Sequence, residues 1–117
     1  MERRKILILE DDLAMAELYS VTLNAAGIDV TVCNTFPEAR SAVHRELPDG
    51  VLTDVRVGEF NGFQLAHLFR AMSPGGIIVV VTGHDDPTMR AEAAKLDAAF
   101  LLKPVNMQDL ITRLSVR

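Results

Sequence analysis

Four short apolar runs in this chain each end in a polar or charged residue that can take part in chemistry. These are residues 6–9 before Glu10 and Asp11, 51–54 ending on Asp54, 77–81 before Thr82, and 100–102 before Lys103. Short apolar runs bounded by turn signals predict strands that are covered on both faces. Ligands of an open parallel sheet bind beyond the carboxyl ends of its strands. We therefore expect the four ends to meet, with Asp54 carrying the chemistry.

The segments between these runs have helical periodicity, and four of them follow a residue that can cap a helix: Asp12, Thr35, Asp86 and Asn106. A further run, 29–33, alternates apolar and polar residues, which is typical of a half-covered edge strand. Strands therefore alternate with helices five times. This order predicts one α/β domain with a parallel sheet and helices on both faces.

Two local features of the pattern give expectations that a structure can check. In the first helix, one face carries only apolar residues, and we expect it to pack inward: Ala14, Leu18, Val21 and Ala25. Residues 55–62 contain two glycines and show no clear period, so we predict a loop directly after Asp54.

Composition narrows the classes of function. The net charge of -4 argues against a nucleic-acid-binding surface, because phosphate binding needs a basic face. No apolar run is long enough to cross a membrane, and the basic start of the chain does not continue as a signal peptide, so we expect a cytoplasmic protein. Cys33 is the only cysteine, which excludes an internal disulfide and favours a small buried strand residue over a reactive thiol.

Adjacent acids follow the first strand, and Asp54 ends the third. If these strands are neighbours, the carboxylates lie within a few ångströms, and one must take up a proton unless a cation is present. Mg²⁺ suits a few carboxylates together with water and phosphate oxygens. We expect Asp11 to be a metal ligand and Asp12 a helix cap, whereas Glu10 either joins the metal or faces water.

Lys103 and Thr82 would complete an anion site at the same strand ends. The lysine offers a compact positive charge, and the threonine offers a hydroxyl beside Gly83, where an oxyanion can approach the backbone. Taken singly, each is better explained as a solvated lysine or an ordinary strand residue. Their common position at the ends of consecutive strands favours the site.

Taken together, these motifs resemble the receiver domain of bacterial two-component response regulators. The matching segments are residues 6–12, 51–54, 61–63, 81–83 and 100–104. They cover nearly the whole chain in the right order, so residues 1–117 are predicted to form a single receiver domain. The resemblance implies a flavodoxin-like (βα)5 three-layer sandwich with strand order 2-1-3-4-5.

The resemblance also implies a role for each residue at the strand ends. Asp54 would accept a phosphoryl group from the phosphohistidine of a sensor histidine kinase or phosphotransfer protein. Mg²⁺ would be held by four groups: Glu10, Asp11, Asp54 and the backbone carbonyl of Arg56. Lys103 would pair with the phosphoryl oxygens, and the Thr82 hydroxyl would swing in to bind them. Such a domain catalyses only its own phosphorylation and dephosphorylation and is not a conventional enzyme.

Phe100 matches the aromatic residue of the family's switch, which turns inward when Thr82 moves. The readout face would be helix 4, strand 5 and helix 5, which contact a downstream output domain or protein and form a candidate homodimer interface. Plain core packing is the alternative for Phe100, because a ring without a hydroxyl has no polar reason to prefer the exposed state.

Arg56 and His84 lie two residues beyond Asp54 and Thr82. Our hypothesis is that their side chains overhang the phosphoryl site and tune the lifetime of the phosphorylated state by controlling access of water. The alternative is that both are solvated loop residues. Gly58 stands where the family often has proline, and Leu96 with Asp97 replaces the usual Gly-Ala before the fifth strand.

Two other functions remain open on the same fold. The first is a flavodoxin-like binder of a flavin or another small ligand, although acids after the first strand would repel a flavin phosphate. The second is an interaction module that works without phosphorylation. The presence of Asp11, Asp54, Thr82 and Lys103 together argues against that module.

Overall fold

A computed structural model describes residues 3–115, which alternate strands with helices; residues 1, 2, 116 and 117 lie outside the described part. The strands are β1 (Lys5–Leu9), β2 (Asp29–Cys33), β3 (Gly50–Asp54), β4 (Arg56–Val57), β5 (Phe60–Asn61), β6 (Ile77–Thr82) and β7 (Ala99–Leu102). The helices are α1 (Leu13–Ala25), α2 (Phe36–Arg45), α3 (Gly62–Met72), α4 (Pro87–Lys95) and α5 (Met107–Ser115). Within this range, no helix combines the length and apolar character that a membrane span requires.

Five of the strands form one parallel sheet in the order β2-β1-β3-β6-β7. When only the strands of this sheet are numbered, the order is 2-1-3-4-5, which confirms the predicted flavodoxin-like topology. β3 is the middle strand, and β6 lies inside the sheet between β3 and β7. Because all five strands run the same way, their carboxyl ends share one rim of the sheet.

The sheet is covered on both faces, which makes the domain a three-layer sandwich. In β1, Ile6 and Ile8 face a core cluster that also contains Tyr19 and Leu23 of α1 and Leu110 and Leu114 of α5. The alternating residues Leu7 and Leu9 face the second cluster, to which α2, α3 and α4 contribute, among others, Phe36, Ala39, Phe63, Phe69 and Ala93. Burial on both faces explains why β1 is apolar at successive positions.

Side chains at the helix starts bind the free backbone N–H groups of the first turns. Asp86 accepts hydrogen bonds from the N–H groups of Thr88 and Met89, as predicted for the cap of α4. Thr35 accepts from Glu38 N, but the Glu38 carboxylate accepts from the N–H of Asn34 and not of Thr35. Thr35 therefore caps α2 as predicted, and the returning bond from Glu38 is made one residue before the cap.

The predicted inward face of α1 is wrong. Leu18 and Val21 are 47% and 58% exposed, whereas Tyr19 and Leu23 are buried. Because α1 carries apolar residues on more than one side, periodicity alone does not select the buried side. The buried side is the one that places Tyr19 and Leu23 against the apolar residues of β1 and α5.

The predicted loop over residues 55–62 is also wrong, because β4 and β5 pair there as an antiparallel hairpin. Gly58 lies at the tip with φ 59°, a left-handed conformation that glycine adopts without steric cost. Val57 is buried, and the ring of Phe60 packs 5.3 Å from that of Phe36. The contact of Phe60 with Phe36 of α2 is remote in sequence, so the local pattern does not indicate it.

Substitutions on the two sides of α1 should differ in their effect on stability. We expect Leu23→Ala to lower the free energy of unfolding by about 2–5 kcal/mol, because it leaves a cavity in the core. Leu18→Ala, on the exposed side, should change it by about 0.5 kcal/mol or less. Urea denaturation followed by circular dichroism measures both values. Equal losses would contradict the observed orientation of α1.

Candidate functional site

Three carboxylates lie together where β1 and β3 end. One oxygen each from Glu10, Asp11 and Asp54 lies within 4.8 Å of the other two. The register explains this closeness, because Leu9 of β1 pairs with Thr53 of β3, and the acids directly follow these two residues. Glu10 is buried, Asp54 is half-buried and Asp11 is exposed. The structure thus brings together the acids that the sequence analysis selected.

Lys103 reaches the same rim from the end of β7. Its Nζ lies 3.4 Å from Asp54 Oδ1 and 4.0 Å from Glu10 Oε1. The lysine is held by its own backbone, whose N–H donates to the carbonyl of Thr82 at 2.8 Å. The peptide bond between Lys103 and Pro104 is cis. One ammonium group therefore lies between two of the three carboxylates.

Burial and crowding disfavour the charged forms of these acids. The pKa of Glu10 is raised to about 7, mainly by burial and further by the charge of Asp54, while the N–H of Asp12 opposes the rise. Burial also raises the pKa of Asp54, and the ammonium of Lys103 partly offsets this effect. Three ionised carboxylates and one ammonium leave an excess of two negative charges. This excess matches the charge of a divalent cation.

The donor set of the rim fits such an ion. Glu10 Oε2 accepts from the N–H of Asp12 at 3.1 Å, whereas Oε1 is buried and has no hydrogen-bond partner among the described residues. A buried carboxylate oxygen without a partner is costly, and a cation would relieve that cost. Carboxylate oxygens are also the ligands that Mg²⁺ prefers. Asp12 is not in the cluster: its Oδ1 caps α1 by accepting from the N–H of Met15 at 3.1 Å.

The β4–β5 hairpin contacts the rim directly. The N–H of Gly58 at its tip donates to Asp11 Oδ2 at 2.9 Å. Arg56 belongs to β4, and its side chain is exposed. The sequence placed Gly58 only in a loop, because a backbone hydrogen bond across 47 positions leaves no local signal.

Gly62 allows α3 to begin against the backbone of Asp54. A Cβ at this position would lie 1.9 Å from the carbonyl oxygen of Asp54 and 2.5 Å from Thr53 Oγ1. Asn61 and Gln64 form a reciprocal capping box at this helix start, which the sequence analysis did not predict. The asparagine and glutamine signal was present in the sequence, but the apparent lack of periodicity in residues 55–62 obscured it.

Thr82 is the last residue of β6, and Phe100 lies within the neighbouring strand β7. Thr82 directly follows Val81, the residue that pairs with Asp54, and its buried hydroxyl accepts from the N–H of His84 at 3.2 Å. The side chain of His84 is exposed. Phe100 is half-buried: it packs against the core cluster of α2, α3 and α4, and the guanidinium of Arg90 covers its ring. Phe100 therefore contacts the core without being enclosed by it.

The fold and the rim together define a class: a parallel α/β sandwich with an acidic pocket that one lysine enters. A family model described as the response regulator receiver domain matches residues 6–115. The chain belongs to this family, which serves two-component systems. Receiver domains typically bind Mg²⁺ at an acidic site, and members of the family are generally not conventional enzymes.

Individual relatives agree with this assignment. The chain is 29% identical over 117 residues to the DNA-binding response regulator MtrA of Mycobacterium leprae, covering 98% of this chain and 51% of that protein. The chain thus spans about half the length of these curated relatives. A CheY-like receiver domain protein from Methanospirillum hungatei superposes with a TM-score of 0.88 at 26% identity, covering 95% of this chain and 90% of that one.

A second structural relative carries a modified site. It is a response regulator protein from Burkholderia pseudomallei, solved with a phosphorylated aspartic acid, a calcium ion and citrate. It superposes with a TM-score of 0.87 at 23% identity, covering 95% of this chain and 66% of that one. At this identity the likeness supports the fold alone.

The buried Glu10 should make the stability of the metal-free domain depend on pH. Its pKa is about 7 in the folded state and 4.5 ordinarily, so the folded state retains a proton that the unfolded state loses between these values. The free energy of unfolding should therefore fall as pH rises through this window, by up to about 3 kcal/mol. Glu10→Gln should remove this part of the dependence.

Urea denaturation in the presence of a chelator, at about pH 5 and about pH 8, measures the effect. Glu17→Gln is the matched control, because Glu17 is an exposed carboxylate on α1 and should leave the wild-type dependence intact. An unchanged pH dependence in Glu10→Gln would show that Glu10 does not carry the proton.

Proposed function

We propose that this chain is one receiver domain that switches a partner-binding face when Asp54 is phosphorylated. One observation carries the proposal: Asp54 lies within 4.8 Å of two other carboxylates and 3.4 Å from the ammonium of Lys103. The packing of an apolar core does not need this arrangement, and the three carboxylates repel one another unless a cation lies between them. The proposed phosphoryl donor is the phosphohistidine of a sensor histidine kinase or phosphotransfer protein.

Asp54 is the proposed nucleophile. A carboxylate oxygen of Asp54 forms a bond to phosphorus while the bond from phosphorus to the donor imidazole nitrogen breaks, and that electron pair returns to the imidazole. Burial, which raises the pKa of Asp54, makes its carboxylate more basic, while Lys103 keeps the ionised form accessible. Lys103 then pairs with the phosphoryl oxygens instead of with Asp54 alone.

Glu10, Asp11, Asp54 and the backbone carbonyl of Arg56 are the proposed ligands of Mg²⁺. When bound, the ion neutralises charge on the transferring group and orients it for in-line attack. The N–H of Gly58 holds Asp11 in place for this role. The phosphoryl group is removed by hydrolysis: water attacks phosphorus, its proton passes to solvent, and the bond from phosphorus to the Asp54 oxygen breaks to release the carboxylate and inorganic phosphate. Both reactions act on the domain itself, so we do not assign it a separate substrate.

The proposed readout face consists of α4, β7 and α5. Thr82 is the proposed sensor of the phosphoryl group, because it lies one residue beyond the partner of Asp54 on the neighbouring strand. Movement of Thr82 would let Phe100 turn inward and change the surface of β7. The partner is a downstream output domain or protein, and the same face is a candidate homodimer interface. We propose that the domain works in the cytoplasm and itself binds neither nucleic acid nor membrane.

Asp54→Asn should abolish phosphorylation. Incubation of the wild-type domain with a small phosphodonor and Mg²⁺ should add the mass of one phosphoryl group, which intact-protein mass spectrometry detects. Asp12→Asn is the matched control, because asparagine also caps helices and Asp12 lies outside the carboxylate cluster. Phosphorylation that persists in Asp54→Asn, or none in the wild type, would contradict the proposal.

Arg56 and His84 are proposed to tune the lifetime of the phosphorylated state. Both side chains are exposed and belong to the segments that follow Asp54 and Thr82, where they can restrict access of water to phosphorus. We expect Arg56→Ala and His84→Ala to speed dephosphorylation by about two- to tenfold, that is, by up to about 1.4 kcal/mol in the barrier. Loss of phosphoprotein mass with time measures the rate. Rates equal to that of the wild type would reject the hypothesis.

A further inference from the structure

We propose that Arg90 is a positioning residue that holds Phe100 in its half-exposed orientation and ties the ring to the loop following Thr82. The inference rests on the proposed switch, because the orientation of Phe100 matters only if the β7 surface is read by a partner. It assigns a new role to a residue of α4 that lies outside the carboxylate rim.

Two contacts of the Arg90 side chain carry the inference. Its guanidinium carbon lies 4.9 Å from the centre of the Phe100 ring, within the range of a cation–π interaction. Its Nε also donates to Asp85 Oδ1 at 2.5 Å. Asp85 belongs to the segment between β6 and α4, one residue after His84, whose N–H donates to the Thr82 hydroxyl. A short chain of contacts therefore runs from Thr82 to the Phe100 ring.

Phenylalanine by itself gives no reason for the half-exposed orientation. The ring has no hydroxyl to bind water, so burial is its favoured state. Arg90 changes this balance, because its guanidinium lies over the ring and is held there by Asp85. Phe100 also packs against the apolar core cluster of α2, α3 and α4, so apolar contacts are available to it. The clasp formed by Asp85, Arg90 and Phe100 thus opposes the inward state.

The clasp also explains how movement near the site could release the ring. If the Thr82 hydroxyl leaves the N–H of His84 to bind a phosphoryl oxygen, the segment that carries Asp85 is free to shift. The guanidinium then loses its second anchor, and its hold on Phe100 weakens. Removal of Arg90 should therefore imitate part of this change and favour the inward state by roughly two- to fivefold, the range expected for an exposed cation–π contact.

The first measurement needs no phosphorylation. In the unphosphorylated full chain with ¹³C-labelled phenylalanine, Arg90→Ala should shift the Phe100 ring signals, which are assigned by their loss in Phe100→Leu. Arg90→Lys should restore them in part because it keeps the positive charge. Arg113→Ala is the matched control, because Arg113 forms a similarly exposed ion pair with Asp109 on α5. Unchanged Phe100 signals in Arg90→Ala, or an equal shift in Arg113→Ala, would overturn the inference.

The second measurement is a titration with beryllofluoride, a phosphoryl mimic, in the presence of Mg²⁺. Arg90→Ala should tighten binding of the mimic by about two- to fivefold, because a larger fraction of the molecules already has Phe100 in the inward state. In a Phe100→Leu background the same change should have no effect, and an equal tightening there would overturn the inference. Failure of the wild type to bind the mimic would count against the proposed function, while the Phe100 signals would still decide the role of Arg90.

Discussion

The crowding of three carboxylates at one rim of the sheet is the constraint on which the rest of this domain depends. Like charges at this distance repel, and the burial of Glu10 makes its ionised form still less favourable. Such a site is stable only if positive charge nearby offsets the repulsion between the carboxylates. Lys103 supplies one positive charge, and the negative charge that remains favours a divalent cation at this rim.

The scaffold holds these acids in place through its best-packed parts. β1 and β3 are adjacent interior strands, and Leu9 and Thr53, which directly precede the acids, are both buried. On one side, Gly62 lets α3 start against the backbone of Asp54, where any larger residue would clash. On the other, the hairpin tip donates its Gly58 N–H to Asp11. The three carboxylates therefore meet at the rim while their backbone is held in place.

Several features were predictable from local sequence because each depends on a short pattern. The apolar runs that end in Asp54 and Thr82 identify interior strands, and the caps at Asp12 and Asp86 are found where the helices begin. The meeting of Glu10, Asp11, Asp54 and Lys103 also followed from the strand ends, once the strands were taken as parallel neighbours. The strand order itself came from the family resemblance.

Other features were not predictable because long-range packing decides them. The end of α4 shows this clearly: Asp97 adopts φ 54°, and the Arg70 guanidinium of α3 binds the carbonyls of Leu96 and Asp97. Aspartate tolerates this left-handed conformation better than most residues. The carbonyls at this chain reversal are bound by a guanidinium that lies 26 positions away in the sequence, so no local pattern indicates the turn. The same reason applies to the hairpin after Asp54, which rests on contacts with α2.

The sequence by itself determined the alternation of strands and helices and the set of reactive residues at the strand ends, because hydrophobic period and capping chemistry are local. Only the tertiary structure decided which side of α1 is buried, that Gly58 binds Asp11, and that Arg90 covers Phe100. Each of these depends on which surfaces meet when the layers pack, and a one-dimensional pattern does not contain that choice.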